Sequence, residues 1–432
     1  MQGLFKSILL ISILVSGLFS EGRIEDRSFY SPATGSIRSL RVYLPEAYDL
    51  PGDTTDYPVV VFLHGGYVSP QSYPMLFDAL DTLIWTEAGP LPEGRIQPMI
   101  AVLPNGNEGE FGGMTWWTNS SLNGDFADYV AEDVLAFASG LFRIDPNPEQ
   151  HFIMGHSMGG YGALSLALTH PTAFRAVSTL GGVVDLSTTL TGITPWVLEE
   201  NAEEQPLTPS AGVWSEILFS MAGAFSPNPL ILPWGVELPI DGEGVRDSLV
   251  WQQWRNHDPA RLAATLDPSA NLHIYLQCGV QDLLWIEVNR ALSDSLTAMG
   301  INHRFDEFQG GHNDALGERF PFALLAFDSL LRLDPLDLKT LHQPLTDDML
   351  IRAYPNPFNA QTRIHIELDQ QAPVSIDVFD VAGRHVENLF SGILPAGGHQ
   401  LEWRPRAAAT GIYLLHITQG RHSQTRRLVI LN

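Results

Sequence analysis

The sequence contains a single cysteine and comparatively few positive charges. Cys278 is alone among 432 residues, which excludes a disulfide within the chain and any metal site built from several cysteines. It lies in the apolar run 272–279, where a buried strand residue is a better interpretation than a catalytic thiol. The 24 Lys and Arg are outnumbered by 49 Asp and Glu, so the net charge is −25. We therefore expect no nucleic-acid partner, because phosphate binding requires clustered basic residues.

Apolar runs of membrane-spanning length are also missing. The N-terminal run from Ile8 to Phe19 follows Lys6 and precedes the polar residues Ser20 and Glu21. It is shorter than the roughly 20 apolar residues that a transmembrane helix requires. A basic residue, a short apolar run and small polar residues are typical of a secretory signal peptide. We predict that residues 1–20 are a signal peptide and that the mature, exported protein has no transmembrane segment.

Sequence motifs that bind common cofactors are absent. The chain has no G-x-G-x-x-G after a strand-like run, no phosphate-binding P-loop and no H-E-x-x-H. The acidic stretch 346–348 is better explained as a solvated turn than as a cation site. We therefore expect neither a cofactor nor a bound metal.

From about residue 36 to 333, short apolar runs alternate with helical patterns. The strand-like runs are 40–44, 59–63, 99–103, 152–154, 176–180 and 272–276. Several are almost continuously apolar, as in strands that are covered on both faces. Between them, apolar residues at helical spacing run from Phe126 to Phe142. This alternation predicts an α/β domain over residues 21–333 with a mostly parallel central sheet.

The segment 187–256 interrupts this alternation and is rich in proline and tryptophan. It is predicted to be an insertion over the top of the sheet. Long insertions of this kind are often lids or substrate walls, but irregular packing at the surface explains the composition equally well.

The pattern changes again after residue 333. Residues 334–350 are polar and are predicted to form a linker. Beyond them, short alternating segments such as 362–368 are separated by glycine turns. Several short strands at this spacing predict a small all-β sandwich over residues 351–432.

The strongest chemical signal is the pentapeptide 155–159, GHSMG, which matches G-x-S-x-G. It follows the apolar run 152–154 and opens a helical stretch, which is the strand–turn–helix setting that this motif requires. A tight turn there projects the hydroxyl of Ser157 above the sheet, and the flanking glycines let strand and helix pass closely. Ser157 is therefore predicted to be a nucleophile rather than a helix cap.

A serine nucleophile needs a base, and the base needs an orienting carboxylate, in the chain order Ser, acid, His. Asp282 follows a predicted strand end, where active-site residues of α/β sheets collect. His312 lies on a glycine loop after the run ending at Phe308. We predict Asp282 as the acid and His312 as the base. The competitors, for which we favour structural roles, are His170, His257, His273, His303, Asp185, Asp258 and Asp306.

The backbone amides of Met158 and Gly66 are predicted to form the oxyanion hole, with the Tyr67 amide as the second choice for the loop donor. Gly66 belongs to the H-G-G motif that follows the run 59–63, which is the position of the second donor in this fold class. His64 is expected to support that loop, and the side chain of His156 to point away from the nucleophile. Tyr67 and the paired Trp116 and Trp117 are candidate substrate-binding residues, although packing explains the tryptophans at least as well.

Together these motifs resemble the esterase family of α/β-hydrolases that includes esterase D, feruloyl and acetyl xylan esterases, enterochelin esterase and the mycolyltransferases. The matching segments are 62–66 (FLHGG), 155–164 (GHSMGGYGAL), 278–282 (CGVQD) and 310–312 (GGH). The resemblance implies that Ser157 is the nucleophile, Asp282 the acid and His312 the base. The insert after Asp185 departs from the family pattern, so no single member supplies the substrate.

The C-terminal region is similar to the sorting domain of type IX secretion cargo. The matching segments are 354–359 (YPNPFN), 378–384 (VFDVAGR) and 411–413 (GIY). Such domains are small β-sandwiches that direct a protein across the outer membrane of a Gram-negative bacterium, so the resemblance implies a secreted or cell-surface protein and the secretion machinery as a partner. A sandwich that only stabilises the chain or binds glycan is the alternative.

The residues thus favour a secreted serine carboxylic ester hydrolase that acts through an acyl-enzyme on a small-molecule or polysaccharide-linked ester. Two alternatives remain open at this point. An acyltransferase would use the same acyl-enzyme with a sugar or lipid hydroxyl as acceptor. A surface-binding protein would keep the fold without catalysis.

Overall fold

The computed structural model describes residues 22–84, 96–203, 206–267, 270–283, 285–332, 349–354, 358–368, 371–380, 384–405, 411–419 and 422–430. The chain divides into two compact units between Arg332 and Leu333. The predicted signal peptide and all but the last two residues of the predicted linker lie outside the described residues.

Twelve strands are found in the described part of the first unit, and eight of them form its central sheet. Their bounds are β1 (Arg23–Ser31), β2 (Ser36–Leu44), β3 (Val59–Leu63), β4 (Ile100–Pro104), β5 (Asn107–Gly109), β6 (Gly113–Met114), β7 (Asn119–Ser120), β8 (Gly124–Asp125), β9 (His151–His156), β10 (Ala176–Leu180), β11 (His273–Gly279) and β12 (His303–Phe308). The sheet has the order β1-β2-β4-β3-β9-β10-β11-β12. The six strands from β4 to β12 in this order run parallel, whereas β2 is antiparallel to both of its neighbours. The strands β5–β6 and β7–β8 form two small hairpins.

Helices accompany the parallel strands. Their bounds are α1 (Pro74–Ile84), α2 (Phe126–Asp128), α3 (Leu135–Leu141), α4 (Met158–Thr169), α5 (Leu186–Glu200), α6 (Val213–Phe225), α7 (Ser248–Arg255), α8 (Pro259–Ala263), α9 (Trp285–Ala298) and α10 (Leu316–Arg332). A π-helical turn, Tyr129–Val134, joins α2 to α3, and 3₁₀ turns lie at Glu46–Asp49, Pro70–Ser72, Pro148–Gln150 and Pro209–Ala211. None of the helices in these residues is long and apolar enough to cross a membrane.

The prediction of a mostly parallel α/β sheet is confirmed, and its physical basis is visible in the central strands. Every residue of β3 and β4 is buried, as expected for strands covered by helices on both faces. The outer strand β1 is largely exposed. The continuous apolar runs of the sequence are therefore the centre of the sheet.

The segment predicted as an insertion contributes three helices, α5, α6 and α7. The C-terminal half of α6 is buried, and Phe219, Phe225 and Trp254 join the main hydrophobic core. The helices of the segment are therefore packed into the domain, whereas the irregular stretches 229–234 and 241–247 are largely exposed. Of its five tryptophans Trp254 is buried, Trp234 is exposed and the other three are partly buried.

The second unit is built from strands alone in its described part. Their bounds are β13 (Met349–Tyr354), β14 (Thr362–Leu368), β15 (Ala372–Asp380), β16 (His385–Leu394), β17 (Gly397–Trp403), β18 (Gly411–Gln419) and β19 (His422–Ile430). They form two antiparallel sheets, β13-β14-β17 and β16-β15-β18-β19. Ile364, Ile366 and Leu368 are buried in the core between strands, as their alternation predicts. The expected small all-β domain is confirmed.

Register places the carboxyl ends of the parallel strands side by side in the first unit. Leu63 pairs with Gly155, His156 with Leu180, and Gly279 with Phe308. The loops that follow β3, β9, β11 and β12 therefore leave the sheet at one edge, where residues distant in sequence can meet.

The approach of α4 to the sheet yields a prediction for stability. A Cβ on Gly159 would lie 1.9 Å from the carbonyl oxygen of Leu63, which is backbone and cannot rotate away. We expect Gly159→Ala to lower the free energy of unfolding by about 3 kcal/mol or more, because the helix must move off the strand. Urea unfolding followed by circular dichroism measures this change.

Gly140→Ala is the matched control, because Gly140 lies in α3 and a Cβ there meets nothing within 4 Å. That substitution should stabilise the protein by about 0.5–1 kcal/mol, as expected for removing glycine from a helix. Equal stability of the Gly159→Ala variant and the wild type would contradict the proposed packing constraint.

Candidate functional site

Ser157 occupies a strained turn between β9 and α4. Its φ of 56° and ψ of −120° lie in a region that residues with a side chain rarely adopt. The turn is possible because Gly155 and Gly159 lack side chains, since a Cβ on Gly155 would lie 2.1 Å from the carbonyl oxygen of Gly159. The Ser157 amide donates to Leu180 O at 2.9 Å, and Ser157 O accepts from the Tyr161 amide at 3.1 Å. The backbone is thus held on both sides of the hydroxyl.

The structure brings the hydroxyl of Ser157 together with the two side chains predicted as base and acid. Ser157 Oγ lies 2.9 Å from His312 Nε2. On the other side of the ring, His312 Nδ1 lies 2.7 Å from Asp282 Oδ2. Because the carboxylate accepts the Nδ1 proton, Nε2 is left with a lone pair that faces the hydroxyl. This arrangement can remove a proton from Ser157.

Asp282 is almost completely buried, whereas the side chain of His312 is 27% exposed. Gly181, which follows β10, lies beneath their contact with a φ of 56°. A Cβ on Gly181 would lie 3.1 Å from Asp282 Oδ2 and 3.2 Å from His312 Nδ1. Sequence reasoning missed this residue, although a glycine pair directly after a buried strand was an available signal.

The sulfur of Cys278 is 3.7 Å from Asp282 Oδ2. Burial and the charge of Asp282 raise the pKa of the Cys278 thiol. The cysteine is therefore held as a neutral thiol in the core, in agreement with its interpretation as a buried strand residue.

The loop after β3 lies over Ser157. A Cβ on Gly65 would lie 3.3 Å from the Cβ of Ser157, so the two backbones are in close contact. The Gly65 amide already donates to the hydroxyl of Tyr73 at 3.0 Å, so the amide of Gly66 is the next candidate donor along the loop. Met158 is the first residue of α4, and amides in the first turn have no acceptor within their helix. The two predicted oxyanion donors therefore follow Gly65 and Ser157 directly in the chain, and their role stays a prediction.

Tyr67 connects this loop to the inserted helices. Its φ is 60°, and its side chain is 47% exposed. The Tyr67 hydroxyl donates to Glu216 Oε2 of α6 at 2.8 Å, and burial together with this carboxylate raises the pKa of Tyr67. The Tyr67 ring packs against Gly112. A Cβ on Gly112 would lie only 2.7 Å from Cε1 of Tyr67, so this position of the ring requires a glycine there. Tyr67 is therefore a partly exposed side chain next to Gly66 in the loop after β3. Its partner Glu216 was not predicted from the sequence.

Trp116 and Trp117 are 3% and 1% exposed, respectively. Trp116 Nε1 donates to Ser220 Oγ of α6 at 2.9 Å, and Trp117 Nε1 donates to His64 O at 3.2 Å. Their contacts are those of packing residues, which was the alternative to substrate binding. As placed, neither indole has a free face on which a substrate ring could stack.

His64 and His156, which adjoin the loops of the site, are bonded differently from the candidate base. His64 Nδ1 donates to Gly65 O at 2.8 Å, and its Nε2 accepts from the Gly106 amide at 3.0 Å, so His64 joins two loops as expected. Burial lowers the pKa of His64 to about 4 and that of His156 to about 3. Both therefore stay neutral at ordinary pH.

The competing histidines and acids lie in structural contacts. Asp185 caps α5 by accepting from the Thr188 amide at 2.7 Å, and Asp258 accepts from the amides of Leu186 and Ala260. Asp306 pairs with Arg319 at 3.1 Å. His170, His257 and His303 make contacts with backbone carbonyls or neighbouring rings within their own parts of the fold.

Among the described residues, no group of three or more His, Cys, Asp or Glu side chains is arranged to hold a metal ion. The groups brought together at Ser157 are instead its own hydroxyl, the imidazole of His312 and the buried carboxylate of Asp282. This donor set is suited to proton transfer and covalent chemistry.

Two known families match this chain, one within each of its two compact units. Residues 31–325 match the family described as Putative esterase. Residues 352–431 match the family described as Secretion system C-terminal sorting domain.

Individual proteins similar to this chain are also described as esterases. A protein of Xylanibacter ruminicola described as endo-1,4-beta-xylanase/feruloyl esterase is 26% identical over 170 residues, covering 38% of this chain and 22% of that protein. An esterase of Mycobacterium tuberculosis is 26% identical over 289 residues, covering 66% of this chain and 54% of that protein. The chain thus spans about a fifth and about half the length of these curated relatives. A solved ferulic acid esterase has the same fold, with a TM-score of 0.51 at 16% identity over 72% of this chain and 98% of that one.

The buried carboxylate of Asp258 yields a prediction for stability against pH. Burial, and then the charge of Asp185, raise the pKa of Asp258 from 3.8 to about 6. The folded protein thus binds this proton more tightly than the unfolded chain, so stability falls as pH rises from about 4 to about 6. Asp258→Asn keeps an oxygen acceptor for both amides and removes the charge. We expect the variant to be more stable than the wild type at pH 7.5 by up to about 3 kcal/mol.

Thermal unfolding at pH 4 and pH 7.5 tests this expectation, and the gain should disappear at the lower pH. Asp247→Asn is the control, because Asp247 caps α7 in the same way from an exposed position. A gain of equal size at both pH values would contradict a role for the buried charge.

Proposed function

Because the chain belongs to the Putative esterase family, we propose that it is an exported serine carboxylic ester hydrolase with Ser157 as its nucleophile. The observation that carries the proposal is the continuous contact from Ser157 Oγ to His312 Nε2 at 2.9 Å and from His312 Nδ1 to Asp282 Oδ2 at 2.7 Å. The strained turn at Ser157 supports it, because such strain persists where it serves a function.

The proposed reaction begins when Ser157 Oγ attacks the ester carbonyl carbon while its proton moves to His312 Nε2. The carbonyl oxygen becomes an oxyanion, and the amides of Gly66 and Met158 donate to it. The bond to the alcohol then breaks, and His312 returns the proton to the departing oxygen. A water molecule repeats the sequence on the acyl-enzyme, releasing the carboxylic acid and restoring Ser157.

Asp282 is proposed to orient His312 and to stabilise the imidazolium that forms during each proton transfer. Its burial supports this role, since a carboxylate away from water interacts more strongly with a neighbouring cation. The carboxylate also selects the tautomer with a proton on Nδ1, which leaves Nε2 free to act as the base.

We propose that the hydrolase domain spans residues 21–333 and is exported by a signal peptide at residues 1–20. After a linker at 334–350, residues 351–432 would then direct the protein across an outer membrane. The match of residues 352–431 to a secretion system C-terminal sorting domain implies type IX secretion and a secreted or cell-surface location. The secretion machinery is thus a partner of the tail, and the substrate a partner of the first domain.

Replacement of the nucleophile is the direct test. We expect Ser157→Ala to lower kcat for a p-nitrophenyl ester by at least about 10⁴-fold, because no other group can form the acyl-enzyme. Fluorophosphonate labelling should be lost as well. Ser165→Ala, on the same helix α4, is the matched control and should keep both.

Full hydrolysis by the Ser157→Ala variant would overturn the proposal. Labelling of the wild type without turnover of any ester would instead favour a protein that binds but does not catalyse. Transfer of the acyl group to an added sugar or lipid hydroxyl in preference to water would make the protein an acyltransferase.

The substrate is proposed to be a small-molecule or polysaccharide-linked ester, and Tyr67 to contact it. Support comes from the half-exposed ring of Tyr67 beside the oxyanion loop and from the feruloyl esterase description of one relative. Among acetyl, butyryl and feruloyl esters, we expect Tyr67→Ala to raise KM most for the feruloyl ester, by about 5-fold or more, since an aromatic contact is lost. Tyr30→Ala, on the exposed edge strand β1, is the control and should leave all KM values unchanged. Equal KM values for the wild type and the Tyr67→Ala variant would exclude Tyr67 from the substrate site.

A further inference from the structure

A buried series of hydrogen bonds runs beneath the candidate site and is not part of the proposed chemistry. The Gly65 amide donates to the hydroxyl of Tyr73 at 3.0 Å. The Tyr73 hydroxyl lies 3.0 Å from His156 Nδ1, and His156 Nε2 lies 3.0 Å from the carbonyl oxygen of His312. Tyr73 and His156 are both buried. The series therefore joins the loop after β3 to the loop that carries the proposed base.

The direction of every bond in this series is fixed by chemistry. The carbonyl oxygen of His312 can only accept, so His156 Nε2 carries a proton and donates it. In the neutral ring Nδ1 is then unprotonated, and it accepts the proton of the Tyr73 hydroxyl. The Gly65 amide can only donate, so the Tyr73 oxygen accepts from it.

A charged His156 would break this pattern, because a proton on Nδ1 would face the Tyr73 hydroxyl proton. Burial agrees with the bonding, since it lowers the pKa of His156 to about 3 and raises that of Tyr73 to about 12. The series is thus neutral and has a single orientation. Such a fully bonded buried network specifies one arrangement of the segments that it joins.

The two loops joined by this series carry the proposed oxyanion donor and the proposed base. Gly65 immediately precedes Gly66, the proposed oxyanion donor, and a Cβ on Gly65 would lie 3.3 Å from the Cβ of Ser157. His312 lies on a loop of glycines, and its side chain is partly exposed, so its ring position depends on how its backbone is anchored. The hydrogen bond from His156 Nε2 to the carbonyl oxygen of His312 fixes the main chain of the proposed base directly.

We propose that Tyr73 and His156 are positioning residues that set the oxyanion loop and the base loop in one fixed relation. The inference rests on the proposed function of the site. Neither residue touches the ester in this account. They act through Gly65 and through the backbone of His312, and a displacement of about 1 Å in either segment can cost about 100-fold in rate.

Three single variants, the double variant Tyr73→Phe/His156→Phe and one control, all in the full chain, test the inference. Tyr73→Phe removes only the hydroxyl, and His156→Phe removes both ring nitrogens at similar bulk. His156→Gln offers an amide that can donate to His312 O and an oxygen that can accept from Tyr73. Tyr43→Phe is the matched control, because the buried Tyr43 hydroxyl donates to Asp81 Oδ1 at 2.7 Å in another part of the sheet.

The readout is kcat per active site on a p-nitrophenyl ester, with active sites counted by fluorophosphonate labelling. We expect Tyr73→Phe and His156→Phe each to lower kcat per site by about 10- to 100-fold while KM changes by less than about 3-fold. The double variant should be no slower than His156→Phe alone, because both changes break one network. His156→Gln should recover most of the rate, and Tyr43→Phe should keep it.

A purely structural role predicts a different result, namely a lower melting temperature and fewer labelled sites with an unchanged kcat per site. That result for Tyr73→Phe would overturn the inference, as would independent, multiplicative losses in the double variant. If His156→Phe does not fold, Tyr73→Phe and His156→Gln still decide the question. Failure of the proposed function would be separate and visible first, as a wild type that neither hydrolyses the ester nor is labelled at Ser157.

Discussion

The site depends on the close approach of α4 to β3 and β9. At Gly155 and Gly159 the backbones of strand and helix touch with no room for a side chain. This contact forces the chain through a narrow turn, and Ser157 takes up the resulting strain at a φ of 56°. The turn leaves the sheet where β3, β11 and β12 also end. The hydroxyl therefore contacts His312, which in turn contacts Asp282, and the loop after β3 lies close to Ser157. The position of the Ser157 hydroxyl thus depends on the two glycines, Gly155 and Gly159, that let the helix approach the strand.

The inserted helices extend this constraint to the loop after β3, which carries Gly66, the proposed oxyanion donor. Glu216 and Ser220 lie one turn apart on α6, where one accepts from the Tyr67 hydroxyl and the other from Trp116 Nε1. Gly66 is also packed against Met114, whose sulfur would lie 2.7 Å from a Cβ at that position. The segment that interrupts the sequence pattern is therefore a support for the loop after β3. Its buried aromatic residues anchor α6 in the core, so that this support is rigid.

Local sequence rules predicted the parts of the molecule that depend on local geometry. Five of the six strand-like runs lie in parallel strands, whereas the run 40–44 lies in the antiparallel β2. The pattern from Phe126 to Phe142 is helical as far as Leu141, with a π-helical turn inside it. The turn at Ser157 could be expected because its glycines have a fixed spacing. Asp282 and His312 could be located because strand ends gather at one edge. Tyr73 and Glu216 could not, since their contacts join distant parts of the chain without a spacing rule. Gly181 was missed although its glycine pair directly follows a buried strand. Trp116 and Trp117 are ambiguous in sequence because a paired tryptophan has the same signature in a core and in a pocket.

Three histidines lie close to Ser157, and the bonding of two of them explains how one can serve as the base. His64 uses its lone pair to accept from the Gly106 amide, and His156 uses its lone pair to accept from Tyr73. Each donates its single proton to a carbonyl, so neither has a free lone pair for the serine proton. His312 alone among the three has a carboxylate on Nδ1 and the hydroxyl on Nε2. Its neighbours also remain uncharged, so no second cation opposes the imidazolium that proton transfer would form on His312. The distribution of donors and acceptors therefore separates the proposed base from the other two histidines.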